Sequence, residues 1–398
     1  MNKNQDRRQN VNASAEENYF SSLAKKYKKA SRIIYILLAA VFVITLVFNS
    51  RLLTYTNFNY LFRDINAAAE AAGDNYNSIS YTNDDARVVK NYRGGVITVS
   101  SSDVAIYTAT GRRTMFTSES FVSPQVTTSK KYAIAYEQGG KKYCVYSSFA
   151  KVGGETLKYP ISYATVADNG WFAIVTKDAE HASVVYLYDD DMQLRGNYSF
   201  ASATVFMVAM NESGNRLAIF KTETAIDKFS TSVMVVEPGK KTSVFDVTVS
   251  NGIVCGGGFT EAGKLQLVST DGYYLIDASN GGALAHTAFD RPVSRVSVTS
   301  GGCAVALSNN SGEVNNTLLA FDKNGKQIYN SDIAGGILDM EYFEGCIFLN
   351  QGNVLSKITL KSGDVSSIAI YENGSDIIVY NGNNILLCCQ TKAKYIKI

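Results

Sequence analysis

Residues 255–265 read CGGGFTEAGKL, and within them Gly258, Gly263 and Lys264 stand at the spacing of a phosphate-binding loop. That chemistry needs G-x-x-x-x-G-K followed by a Ser or Thr hydroxyl for magnesium, set between a strand and a helix. Here Leu265 occupies the hydroxyl position, and KLQLVST alternates like a strand. The stretch is therefore expected to be a turn between two strands. Its three consecutive glycines leave a bare backbone that allows close approach by a neighbour.

The remaining reactive side chains form no constellation. Cys144, Cys255, Cys303, Cys346, Cys388 and Cys389 contain no C-x-x-C pair, so no zinc site is expected. Cys303 and Cys346 fall where other segments of the chain place Val, Tyr, Trp, Leu or Ile, which points to buried free thiols. Adjacent Cys388 and Cys389 should face opposite sides of one strand. His181 and His286 belong to no metal or nucleophile motif. Asp189, Asp190 and Asp191 lack the rest of a calcium loop and fall on an expected hairpin turn. Asp277 and Asp322 fall at the same turn of other repeats, where Asp accepts backbone N–H bonds. Trp171 reads as a core residue. No catalytic, cofactor-binding or metal-binding residue is assigned, and no cofactor is expected.

Charge is unevenly spread. Residues 1–51 carry nine Lys and Arg against three Asp and Glu, whereas the rest of the chain is mildly acidic. No basic stripe is present for nucleic acid. IIYILLAAVFVITLVF (33–48) is uncharged, and Lys25, Lys26, Lys28, Lys29 and Arg32 precede it or stand at its start. Residues 30–51 are long enough to cross a bilayer, and the basic side is expected to stay in the cytoplasm. The expected order is a cytoplasmic basic tail (1–29), a transmembrane helix (30–51), a stalk helix (52–75) and an extracytoplasmic β domain (76–398).

That β domain repeats. Strands begin near Val96, Tyr132, Trp171, Leu217, Leu265, Cys303, Cys346 and Ile385, a mean spacing of about 41 residues. Turn glycines at Gly111, Gly153, Gly239, Gly281, Gly325 and Gly363 recur with the same period. Repeats of 40–45 residues with four strands are the mark of a β-propeller. The C-terminal repeat has three strands only, and YNSISYT (76–82) stands ready to supply the fourth. The fold class is all-β, an eight-bladed propeller with seven blades as the alternative. In such a ring Gly256–Gly258 would mark the channel wall.

The arrangement resembles membrane-anchored, propeller-like proteins of unknown function from Gram-positive bacteria. Through turns such as FDKNGKQ, the repeats also look like the quinoprotein-dehydrogenase and outer-membrane-assembly propellers. The tryptophan docking signatures of those families are largely missing, and no GH…WD signature is present. No catalytic residue carries over from these families, and eight repeats with two histidines and no site constellation lead to the expectation of a non-catalytic scaffold binding a protein or wall polymer outside the membrane. The alternative is an extracytoplasmic enzyme or small-molecule sensor using the channel, which would require clustered carboxylates, His or Arg at its mouth.

Overall fold

Runs such as Phe172–Thr176 (FAIVT) and Leu265–Ser269 (LQLVS) are rich in aliphatic residues and free of charge, and every residue in them is buried. A strand buried on both faces has to lie inside a stack of sheets. The computed structural model, which describes residues 27–41, 43, 62, 78–80, 87–225, 228–250, 252–308, 315–372 and 374–398, builds that stack from eight four-stranded antiparallel sheets. Blades 1 to 7 span residues 88–118, 124–156, 161–200, 204–250, 254–288, 293–334 and 339–369. Blade 8 joins residues 374–397 to Ile79–Ser80.

The second strand of each blade begins within one residue of the position expected from the repeat, for example at Leu217, Leu265 and Cys346. Trp171 immediately precedes its strand, half-buried rather than fully in the core. Five of the six turn glycines adopt positive φ. Gly153 differs, lying inside Lys151–Thr156, where a Cβ would meet the Met192 sulfur at 2.2 Å.

Apolar clusters fill the seams between blades. Ile97 and Ile106 of blade 1 meet Val126 and Ala133 of blade 2. Seven further clusters repeat the arrangement around the ring, and the last joins Ile378 and Leu386 of blade 8 to Val96 of blade 1. Eight blades with eight filled seams make a closed ring. Ile79–Ser80 pairs antiparallel with the C-terminal strand, Ile79 opposite Ala393 and Ser80 opposite Lys392. Ile79 is buried in the seam between blades 8 and 1. Chain-end closure thus removes the open edge that an incomplete blade would leave.

The chain divides into two compact units, residues 1–69 and 70–398. In the first, residues 27–41 and 43 are helical with exposed side chains. Among the described residues no helix is long and apolar enough to cross a membrane. The rest of the expected span (30–51) and, apart from Phe62, the expected stalk helix (52–75) lie outside the described residues.

Candidate functional site

Four antiparallel strands return the chain to the end of the ring where the blade began. All inter-blade connections, with the hairpins between second and third strands, therefore share one end. The remaining hairpins form the opposite end. The first strand of each blade is innermost and has one edge with no strand beside it, so its N–H and C=O groups need other partners.

Polar side chains from neighbouring innermost strands supply several of them. Thr128 Oγ1 donates to the Asn91 carbonyl at 3.0 Å, Asn91 Nδ2 to the Val379 carbonyl at 2.6 Å, and Thr127 Oγ1 to the Ala164 carbonyl at 2.5 Å. Between blades 6 and 7, the Tyr342 N–H donates to Ser297 Oγ at 2.8 Å. Between blades 7 and 8 the acceptors are carboxylates. Ile377 N–H donates to Asp339 Oδ2 at 2.8 Å and Val379 N–H to Glu341 Oε2 at 2.6 Å.

These carboxylates stand on the wall of a cavity of about 1440 Å³ inside the ring. Its lining comes mainly from blades 1, 6, 7 and 8, and includes Arg87, Lys90, Asp339, Glu341, Glu372 and Asp376. Burial pushes Glu341 up to about 7; the Val379 N–H opposes this, the Asp339 charge adds to it and Lys90 opposes it. Burial likewise raises Asp339, against the N–H bonds it accepts from Ile377 and Met340. Glu372 is held low by its bond to Lys394 at 2.6 Å. Two of the wall's carboxylates thus serve the blade 7–8 seam with one oxygen each, while the wall remains acidic beside Lys90.

The two ends of the ring differ. Large apolar side chains stand exposed on inter-blade connections: Val122, Ile253, Leu338 and Tyr371, the last 95% exposed. Leu338 and Tyr371 also line the cavity, so they form part of its rim. The opposite end is held by ion pairs between turns, Lys130–Glu212 at 2.6 Å, Arg216–Glu237 at 2.8 Å and Lys323–Glu261 at 3.1 Å. Among the described residues Phe149 is the exposed large apolar side chain within those hairpins, and Leu194 and Val365 open the outermost strands that leave them.

The sequence-level candidates fall into structural roles. Val254–Phe259 is the innermost strand of blade 5, and a turn then leads into Leu265–Ser269. The Gly263 N–H closes that turn on the Thr260 carbonyl at 2.8 Å, and Lys264 Nζ reaches Asn324 Oδ1 at 3.3 Å. A Cβ on Gly257 would meet the Phe220 ring at 3.0 Å, and one on Gly256 would meet Val298 at 3.1 Å. Gly256 and Gly257 thus admit side chains of neighbouring blades, Gly258 faces open space, and none of the three lines the cavity described above.

All six cysteines are free. Cys303 is buried as expected, with Cys144 and Cys388; Cys346, expected in the core, is only half-buried, as is Cys389, and Cys255 is exposed. Cys388 and Cys389 belong to different apolar clusters, as their adjacency on one strand requires. Asp189 Oδ1 accepts the Gln193 N–H at 2.8 Å and Oδ2 accepts from Arg195. Asp277 accepts the Ser279 N–H and Asp322 the Asn324 and Lys326 N–H groups, the same turn chemistry in three blades. His181 Nδ1 sits 3.0 Å from Asp178, and His286 stacks on Tyr274 with ring centres 4.4 Å apart.

Asp339 and Glu341 were missed at the sequence level. Their signal was the charge pattern of LDMEYF, two carboxylates at alternate positions on a first strand, where most other blades carry neutral residues.

No curated protein matches the sequence. The sequence profile described as "Family of unknown function (DUF5711)" matches residues 73–398. Among solved structures, Sqt1 of Chaetomium thermophilum, bound to the N-terminus of ribosomal protein L10, superposes with a TM-score of 0.56 at 9% identity, covering 81% of this chain and 98% of that one. BamB from Moraxella catarrhalis gives 0.53 at 11% identity, over 81% and 99%. A quinohemoprotein alcohol dehydrogenase from Pseudomonas putida HK5 gives 0.50 at 11%, over 78% and 71%. At such identities the likeness concerns the propeller fold alone.

Proposed function

We propose that this chain, which belongs to the family of unknown function DUF5711, is a membrane-anchored, extracytoplasmic propeller that binds a protein or envelope-polymer partner without catalysis. The carrying observation is the inter-blade end of the ring, where Val122, Ile253, Leu338 and Tyr371 stand exposed. Leu338 and Tyr371, on successive connections, share the rim of the cavity, and an exposed apolar patch at the mouth of a cavity marks an interaction surface. A propeller of similar fold, Sqt1, is bound to the N-terminus of ribosomal protein L10, which gives precedent for this scaffold holding a polypeptide. The anchor is read from the uncharged run 33–48 and the basic residues before it.

Proximity labelling from the C-terminus tests the surface. Replacing Val122, Ile253, Leu338 and Tyr371 by Ser should remove specific neighbours while leaving the melting temperature within a few degrees. An unchanged set of neighbours would refute the face. Protease added to cells stripped of their wall should digest the chain beyond Arg51; protection of that region would refute the topology.

A second reading, a small-molecule sensor using the channel, is favoured by the carboxylates, Arg87 and Lys90 around the cavity. It predicts that a bound amine-bearing ligand raises the melting temperature, and that Asp376→Asn lowers this gain.

A further inference from the structure

The outermost strand of each blade carries an open edge, and edges invite unwanted pairing unless they are interrupted or charged. In blades 1 to 6 the pairing of the outermost strand with the third strand contains a register shift, in each blade beside the hairpin that joins them. Most of these strands also carry charge, such as Arg113, Lys151, Arg195, Asp246 and Asp332. The outermost strand of blade 7, Val365–Ala369 (VSSIA), has neither device. It pairs with Val354–Ile358 in unbroken register, contains no charged residue, and every one of its residues is exposed.

The direction of its backbone groups follows from its ends. The Asp364 carbonyl accepts from Thr359 N–H, and Ile370 N–H donates to the Asn353 carbonyl, both at 2.9 Å. Residues 364, 366, 368 and 370 therefore turn their backbone groups into the blade. Val365, Ser367 and Ala369 turn theirs outward, at the spacing of an antiparallel or parallel partner strand. The strand runs on through Ile370 to Tyr371 at the apolar end of the ring.

We propose that Val365–Ala369 is a docking edge that takes an extended segment of a partner polypeptide as a fifth strand of blade 7. This rests on the binding-module reading and adds the mode of recognition. Charge selects the occupant. From Val365 to Tyr371 the edge is neutral, so the central part of the segment must be neutral too, because a charge there would lose water without a counter-charge. Asp364 precedes the edge, so a Lys or Arg beyond one end of the neutral part completes the match.

The test selects seven-residue peptides from a displayed library against the full-length chain in detergent. Binders should have neutral, β-branched or aromatic centres and a basic residue near one end. Ser367→Pro removes an outward N–H without breaking an inward backbone bond, and should weaken binding at least tenfold; because it also removes the Ser367 Oγ–Ser356 Oγ bond at 2.9 Å, Ser367→Ala serves as the control that should leave binding unchanged. The double variant Val365→Lys with Ala369→Lys keeps the backbone intact, should do the same, and stands in if the proline variant does not fold. Failure to select binders, or binders indifferent to both variants, would overturn the docking edge. Binders lost with Tyr371→Ala or Leu338→Ser but kept with Ser367→Pro would overturn the edge while upholding the loop face. A dimer in sedimentation velocity that Ser367→Pro disperses would assign the edge to a second copy and overturn the foreign segment.

Discussion

Replacing Glu341 by Gln should make the propeller more stable at pH 8, with a gain that shrinks towards zero as the pH falls towards 4.5. In the fold Glu341 titrates at about 7, against 4.5 for a free glutamate, chiefly because burial disfavours its charge. Between those two values the folded chain holds a proton that the unfolded chain has released. Stability must then fall as pH rises through this window. Above pH 7 the side chain is ionised in both states, and the fold bears the cost of the buried charge. At about 1.4 kcal/mol per pH unit the gap corresponds to at most about 3 kcal/mol. Gln has nearly the same shape and can still accept the Val379 N–H, so the substitution removes the charge and keeps the bond. Asp339 is raised in the same direction and leaves a residual slope in the variant. Carboxylates held low, such as Glu372 and Glu237, lose their contribution only as pH falls through the acid range below their ordinary values. The assay is urea unfolding of the full chain in detergent at pH 5, 6, 7 and 8, followed by tyrosine fluorescence. Parallel stability curves for the two proteins across this range would refute the reasoning, as would a variant less stable at pH 8.

Ile79→Asp should cost about 3 kcal/mol or more, because it places a charge in the seam that closes the ring; a melting temperature equal to that of the unmodified chain would contradict chain-end closure. Gly257→Ala should cost about 1–3 kcal/mol by pressing on Phe220 and the Gln266 carbonyl. Gly258→Ala should be close to neutral by comparison, since its added carbon meets nothing within 4 Å; equal effects in thermal melts would show that the close approach is misplaced. A maleimide added to the native chain should label exposed Cys255, whereas Cys144 and Cys303 should react only after unfolding; mass spectrometry of the labelled peptides decides.

The blade count was legible because the second strand of every repeat carries the same physical demand. It is largely buried on both faces, so it is built around an apolar run, and such runs recur in strands such as Leu265–Ser269 and Cys346–Asn350. The turns were legible for a related reason: Asp277 and Asp322 bind their own backbone, a local arrangement that needs no knowledge of the ring. The candidate site was not legible in the same way. Asp339 and Glu341 acquire their environment from blade 8, and only the register of two strands brings the Ile377 and Val379 N–H groups to them. The glycine run was legible only in part, for the opposite reason. Its place on the innermost strand was foreseen, but the close approach of blades 4 and 6 to Gly257 and Gly256 is specified by no local pattern. Bulges on the outermost strands were equally hidden, because register is a property of pairs of strands.

Closing the ring with Ile79 opposite Ala393 also sets an order of events. The segment that completes the last blade is made first and must wait until nearly the whole domain has been synthesised. Joining ends so far apart along the chain carries a large loop-closure entropy and belongs to the slow, late part of folding. Until then Ile79 has no core to enter, and blade 8 has no complete outer side. A chain broken off before Lys392–Lys397 cannot finish this step, however well its earlier blades have formed. The closure therefore doubles as a check on completeness: only a full-length polypeptide hides its first strand, and a prematurely terminated one leaves it open to proteases.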